Sequence, residues 1–214
     1  MLTTLWSAKG GAGCSVIASM LALQQARHDK RVLLVDLADD LAAVLGVTPP
    51  TSPTLAEMAR LGVELSIEAI DELAPEVAPR VHMLVAGDLA GQAAEVAHSL
   101  EALPIRCVAD AGCLVRPTSL AAVPFAEVAS VSLLVTRPCY LALRRGPALP
   151  VSPTGVVLVA EPGRAFGPSD VEAAVGVAVV ASVAVDPSIA RAVDSGLLAG
   201  RAPRGALQAL AGAL

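Results

Sequence analysis

The stretch SAKGGAGCSV, Ser7–Val16, decides how the rest of the chain is read. Gly10, Gly11 and Gly13 crowd together, and Ser15 follows them. Upstream, LTTLWSA (Leu2–Ala8) is apolar and β-prone and stops at the glycines, which is the pattern of a buried strand. Downstream, SVIASMLALQQARH (Ser15–His28) carries Ile17, Met20, Leu21 and Leu23 at helical spacing. Glycines between a strand and a helix let the backbone take positive φ and point its N–H groups inward at an anion. The helix adds the partial positive charge of its N-terminus. Ser15 is placed either to bind Mg²⁺ or to cap the helix. The plain alternative for the whole stretch is a tight turn with a serine cap, but the strand before and the helix after favour phosphate.

Moving outward, strand and helix patterns alternate. RVLLVDL (Arg31–Leu37) reads as a buried strand ending on Asp36, and DDLAAVLGV (Asp39–Val47) as a short helix. TPPTSP (Thr48–Pro53) is a loop by composition, with short helical pieces TLAEMARLG and SIEAIDEL after it. VHMLVAG (Val81–Gly87) is a strand, Gln92–Leu103 a helix, and IRCVADAG (Ile105–Gly112) a strand ending on Asp110. A helix is expected around Ser119–Val128, then the strand VSLLVTR (Val131–Arg137) and the helix YLALRRG (Tyr140–Gly146). GVVLVAE (Gly155–Glu161) and VAVVASVAV (Val177–Val185) are strands around the helix Ser169–Val175, and tail helices fall near Pro187–Ser195 and Arg204–Leu214. This alternation predicts βαβ units in one α/β domain over residues 1–214: a doubly wound, mostly parallel sheet with helices on both faces. Ligands bind such sheets beyond the carboxyl ends of the strands. The glycine loop, Asp36 and Asp110 all fall at such ends.

Composition agrees. The chain has 214 residues, enough for one domain with a sizeable core, and is 55% hydrophobic, 16% charged and only 2% aromatic. Sheets covered on both faces read this way because their strands have no wet side. No uninterrupted apolar run is long enough to suggest a transmembrane helix, and no signal peptide is seen at the start, so a cytoplasmic chain is expected. The net charge of −5 argues against nonspecific nucleic-acid binding. The cysteines Cys14, Cys107, Cys113 and Cys139 form no CxxC pair and no zinc-ligand spacing with histidine, and His28, His82 and His98 sit in unrelated contexts. Lysine occurs only at Lys9 and Lys30, so one of two lysines falls beside the glycines.

The general pattern GxxxxGK[ST] is not met, because Ala8 stands for its first Gly and Cys14 for its Lys. The segment Lys9-Gly10-Gly11-Ala12-Gly13-Cys14-Ser15 nevertheless resembles KGGxGK[ST], the variant motif of the MinD/ParA family of P-loop proteins, at every fixed position but one. VLLVDL (Val32–Leu37) is similar to that family's second strand, with Asp36 near the metal. CVADAG (Cys107–Gly112) is similar to its Walker B strand, with Asp110 as an outer-shell Mg²⁺ residue. VAVDPSIARAVDSG (Val183–Gly196) resembles its nucleotide-base loop, where Asp186 matches the Asp of Pro-x-Asp and Ala184 replaces the Pro. The resemblance spans nearly the whole chain. It implies that ATP or ADP is held by Lys9, Gly10, Gly11, Ala12, Gly13, Cys14, Ser15 and Asp186, with Mg²⁺ at Ser15, Asp36 and Asp110. It makes Lys9 and Asp36 the catalytic positions, Lys9 reaching across a face-to-face homodimer to the partner's nucleotide. It further implies an unidentified protein partner, and points to the TadZ/CpaE-like branch, whose members help position machinery at cell poles.

Two departures bear on chemistry. The P-loop lysine is absent, and a charge-assisted hydrogen bond is worth roughly 1.5–3 kcal/mol. Ala38 stands where the family carries the Asp that positions attacking water. Weak or absent ATP hydrolysis is therefore expected, with nucleotide still bound. An active ATPase in which Lys9 covers for the lysine, and a nucleotide-free assembly module, are the alternatives. Cys14 at a helix N-terminus is expected to have a lowered pKa; a tolerated small side chain is favoured over a redox switch. Arg137, Arg144 and Arg145 around TRPCYLALRRG read as a solvated helix end. Leu207, Leu210 and Leu214 are expected to pack on the core, because no Lys/Arg-rich face accompanies them for anionic lipid.

Overall fold

The first strand shows how the sheet is built. In a strand, successive side chains point to opposite faces. Leu2 and Trp6 of β1 (Leu2–Ser7) enter the core on one face of the sheet, and Leu5 enters the core on the other. Thr4 follows Trp6, donating its Oγ1 hydroxyl to the carbonyl of Phe125 at 2.8 Å. The Trp6 indole N–H, otherwise an orphan donor in the core, meets Ser132 Oγ at 2.9 Å.

The computed structural model describes residues 1–27, 31–115 and 121–211. After β1 come α1 (Cys14–Ala26), β2 (Val32–Asp36), α2 (Leu41–Leu45), α3 (Leu55–Arg60), α4 (Ile67–Leu73), β3 (Glu76–Ala78), β4 (Val81–Val85) and α5 (Ala93–Ala102). Then follow β5 (Arg106–Cys113), α6 (Val123–Val128), β6 (Val131–Thr136), α7 (Tyr140–Leu143), β7 (Gly155–Ala160), α8 (Pro168–Val175), β8 (Val179–Ala184), α9 (Pro187–Asp194), α10 (Leu198–Arg201) and α11 (Arg204–Ala209). Among the described residues they form one eight-stranded sheet in the order β3-β4-β2-β5-β1-β6-β7-β8. Every pairing is parallel except the antiparallel edge pair β3–β4. The doubly wound, mostly parallel sheet expected from the sequence is the sheet observed.

Helices cover both faces. One face packs under α1, α2, α9, α10 and α11 through Ile17, Leu21, Leu41, Ile189, Leu198 and Leu207. The other packs under α3, α4, α5, α6 and α8 through Met58, Ile70, Leu100, Phe125 and Val171. Helix α1 is buried at ten of its thirteen positions, which is why its apolar residues encircle it instead of forming a stripe. Leu207 and Leu210 of the tail are buried in the first core, as expected; Leu214 lies outside the described residues.

The differences from expectation are local. β3 and α10 were not foreseen: three and four residues are too few for periodicity to show. The helix expected around Ser119–Val128 is described only as α6, because residues 116–120 lie outside the described residues. β5 runs one residue further than expected and takes Cys113 into the strand, opposite Ser7 of β1.

The strand order positions the site. From β1 the chain runs outward to β2 and β4, returns through β5, then crosses to β6 and the opposite edge. The carboxyl ends of β1, β2 and β5 thus meet at one crevice, with Asp36 and Asp110 directly opposite each other in register.

Candidate functional site

The glycine loop joins β1 to α1 as the spacing predicted. Gly11 and Gly13 both have positive φ, 76° and 96°. A side chain added at Gly11 would meet nothing within 4 Å, so this part of the loop lies open. Gly13, in the left-handed conformation, is the N-cap of α1, and its carbonyl accepts the first helical bond from Ile17 N–H at 3.0 Å. Ser15 lies inside the first turn, and no side chain caps the helix. The choice left open by the sequence, cap or metal ligand, goes against the cap.

The loop forms one wall of a cleft of about 570 Å³. Gly10–Val16 line it on one side, Leu37–Asp40 on another, and Ala111–Cys113 beneath. Asp39, Asp40 and Cys113 thereby join the cleft lining, a placement that depends on the turn after β2 and the end of β5. Asp39 is held at φ 61°, a conformation non-glycine residues seldom adopt outside turns.

Two carboxylates lie under this cleft. Asp110 is fully buried. Its Oδ1 accepts the Gly112 N–H at 3.0 Å, whereas Oδ2, with the Ser15 hydroxyl and Cys14 thiol nearby, has no partner in hydrogen-bond geometry among the described residues. Burial pushes the Asp110 carboxyl above the usual carboxylate range, with the Asp36 charge adding a smaller push. The Ser15 hydroxyl, the Cys14 thiol and the Gly112 N–H pull the other way. Asp36, also buried, is raised by the same desolvation. Each of its oxygens accepts a backbone N–H: Oδ1 from Ala38 at 3.1 Å and Oδ2 from Leu41 at 2.9 Å. Asp36 therefore ties the Leu37–Asp40 loop and the start of α2 to the end of β2, a role visible only once the turn is formed.

Cys14 corrects an expectation. Its thiol is pushed well above the ordinary cysteine range, first by burial and next by the neighbouring Asp110 charge. The helix-terminus argument for a reactive thiolate fails here, because desolvation and a carboxylate outweigh the helix field. Cys14 is a neutral thiol where a lysine would carry charge.

The other predicted residues are placed as follows. Lys9 sits between the lining residues Ser7 and Gly10, half-buried, with no hydrogen bond or ion pair among the described residues. Asp186 is absent from the cleft lining; it caps α9, accepting the Ser188 N–H at 2.7 Å. Arg145, read from sequence as solvated, reaches across to donate to the carbonyl of Ala8 and anchors the start of the glycine loop. Arg137 pairs with Glu161 at 2.7 Å. Sequence separation hid both contacts.

Sheet order, glycine loop and buried Walker B-like aspartate together define the P-loop NTPase fold of MinD/ParA type. Among solved structures, a ParA family ATPase from Chlorobium tepidum superposes with a TM-score of 0.73 at 17% identity, over 98% of this chain and 95% of that one. The septum site-determining protein MinD from Pyrococcus horikoshii, complexed with Mg-ADP, gives 0.73 at 22% identity over 100% and 94%. A Cyanothece McdA variant complexed with ATP gives 0.68 at 17% over 99% and 95%. At these identities the likeness is one of fold. No protein-family model and no curated protein matches the chain.

Proposed function

We propose that this chain binds an adenine nucleotide with Mg²⁺ at the glycine loop, hydrolyses it weakly or not at all, and acts as a dimerising positioning or scaffold protein. The observation that carries the reading is Asp110 Oδ2: a buried carboxylate oxygen without a partner, beneath an open loop of backbone N–H groups and beside the Ser15 hydroxyl. An unpaired buried acceptor of this kind costs stability unless a ligand satisfies it. A hydrated divalent cation fits, because Mg²⁺ keeps several waters and needs few protein ligands. No group of three or more metal-binding side chains exists among the described residues, so the cation would arrive with its phosphates.

In this reading the backbone of Gly10, Gly11, Ala12, Gly13 and Cys14 holds the phosphates. Ser15 and Asp110 hold the cation, and Asp36 holds the loop beside it. Asp186, which caps α9 outside the cleft lining, is assigned to the base by the family resemblance alone, and Lys9, without a hydrogen bond or ion pair among the described residues, is available to the nucleotide of a second copy. The bound Mg²⁺ would supply charge neutralisation. That matters because Asp39 and Asp40 line the cleft above Asp36 and Asp110, and free ATP would be repelled. The chain's own residues provide little for hydrolysis. Cys14 is neutral, and Ala38, packed toward Gly112, carries no carboxylate. The degenerate loop is the feature shared with TadZ/CpaE-like proteins, and supports a role in polar positioning over one in energy transduction.

Calorimetric titration of nucleotide-stripped protein with Mg-ATP, beside Asp110→Ala, tests the reading. Micromolar binding is expected in the native chain, lost with Asp110→Ala or with EDTA. Absence of binding at millimolar Mg-ATP would overturn it and leave the nucleotide-free assembly module.

A further inference from the structure

We infer that the groove between α3, α4 and α5 docks a basic amphipathic segment of a partner protein. The groove lies away from the nucleotide cleft, and the inference does not depend on nucleotide binding. Its volume is about 650 Å³. Val63 and Leu65, from the link between α3 and α4, and Ile67, the first residue of α4, give it an apolar wall, and Glu64, Glu68 and Glu95 stand exposed at its rim. Among the described residues no Lys, Arg or His lines it. None of these three glutamates is in an ion pair among the described residues.

The charge is concentrated here. Residues 54–78 hold six acidic residues against one arginine, which equals the net charge of −5 of the entire chain. Of these, Glu64 and Glu68 line the groove, where Glu95 joins them from α5, while Asp71 is paired with Arg31. Next to the groove, Leu61 is 75% exposed at the end of α3, an apolar side chain with no core to enter. Apolar surface framed by one sign of charge is what an amphipathic helix of opposite charge complements: apolar residues at i, i+3 and i+4 fill the groove while flanking Lys or Arg meet the glutamates.

Other occupants fit worse. Anionic lipid and nucleic acid meet repulsion from the rim. An uncharged small molecule gives the glutamates nothing to pair with. A second copy of this chain offers an exposed basic-apolar element in Tyr140 and Leu141 with Arg144, but α7 is a single turn, too small to fill the groove.

The test uses the full chain and two labelled model peptides, an amphipathic Leu/Lys helix and its Leu/Glu counterpart with the same apolar pattern. Fluorescence anisotropy is read for the native chain and for the triple variant Glu64→Gln, Glu68→Gln, Glu95→Gln, whose sites are all on the surface. The expected result is micromolar binding of the Leu/Lys peptide, weakened by salt, at least tenfold weaker in the triple variant, with amide NMR shifts confined to α3, α4 and α5. The proposal is overturned by equal binding to native and triple-variant protein, by equal binding of the Leu/Glu peptide, or by shifts elsewhere. No binding at millimolar peptide overturns it too. Self-association in sedimentation that the triple variant abolishes would replace the partner with a second copy of the chain.

Discussion

Cys14→Lys puts a cation where the loop now has a neutral thiol. The position is the first residue of α1, 7% exposed, beside a buried carboxylate. Burying an ammonium there has a desolvation cost, but Asp110 lies beside it with its pKa already raised by burial, so the new charge relieves it. The phosphate side then decides the outcome. One charge-assisted hydrogen bond contributes about 1.5–3 kcal/mol, which is a ~10- to 150-fold gain in affinity. Isothermal titration with Mg-ATP reads the change directly. Thermal denaturation gives a second reading, since ligand at about 100 times its Kd adds ~2.7 kcal/mol, worth roughly 2–4 °C per kcal/mol for a domain of this size. Turnover should rise with affinity, yet stay limited by Ala38. An unchanged Kd, in a variant whose circular dichroism and melting match the native chain, would refute the assignment of Cys14 to the phosphate site.

Three further outcomes follow from the geometry. Asp110 is raised by burial, so the folded state holds its proton more tightly than the unfolded chain, and stability falls as pH rises from about 3.9 through the raised folded value. Asp110→Asn should therefore melt higher than the native chain at pH 7 without nucleotide, by a margin that shrinks toward pH 4; a lower melting point would contradict the orphaned-carboxylate reading. Asp36→Ala strips the acceptors from the Ala38 and Leu41 N–H groups and should cost about 1–3 kcal/mol in urea unfolding. Gly46→Ala should cost about 2–5 kcal/mol, because φ is 73° and the new Cβ would overlap the Gly196 carbonyl; a near-native urea midpoint would show that α2 and α9 separate freely.

What was legible in the sequence followed from spacing. Leu5, Leu34 and Val108 sit in strands whose apolar runs announce burial on both faces, and the glycines of Gly10–Gly13 announce the turn between β1 and α1. Asp186, which the resemblance assigned to the nucleotide base, caps α9 ahead of Pro187, a capping role that the sequence reading did not include. What stayed hidden depends on closure in space. Arg145 meets Ala8 from 137 residues away, and Asp36 turns its oxygens back on its own loop. The depressed thiol pKa expected for Cys14 failed because a linear reading supplies the helix terminus but not the burial or the buried aspartate beside it.

The central place of β1 has a consequence for how the chain is made. Its hydrogen-bonding neighbours are β5 and β6, the latter ending at Thr136, so the first strand synthesised is among the last to be completed. At an elongation rate of roughly 5–20 residues per second, LTTLWS waits about 6–26 s for both flanks to exist. Until β5 is complete the buried first strand and the glycine loop behind it have no neighbouring strand to pair with. The first strand therefore finds both of its sheet partners only after more than half the chain has been made.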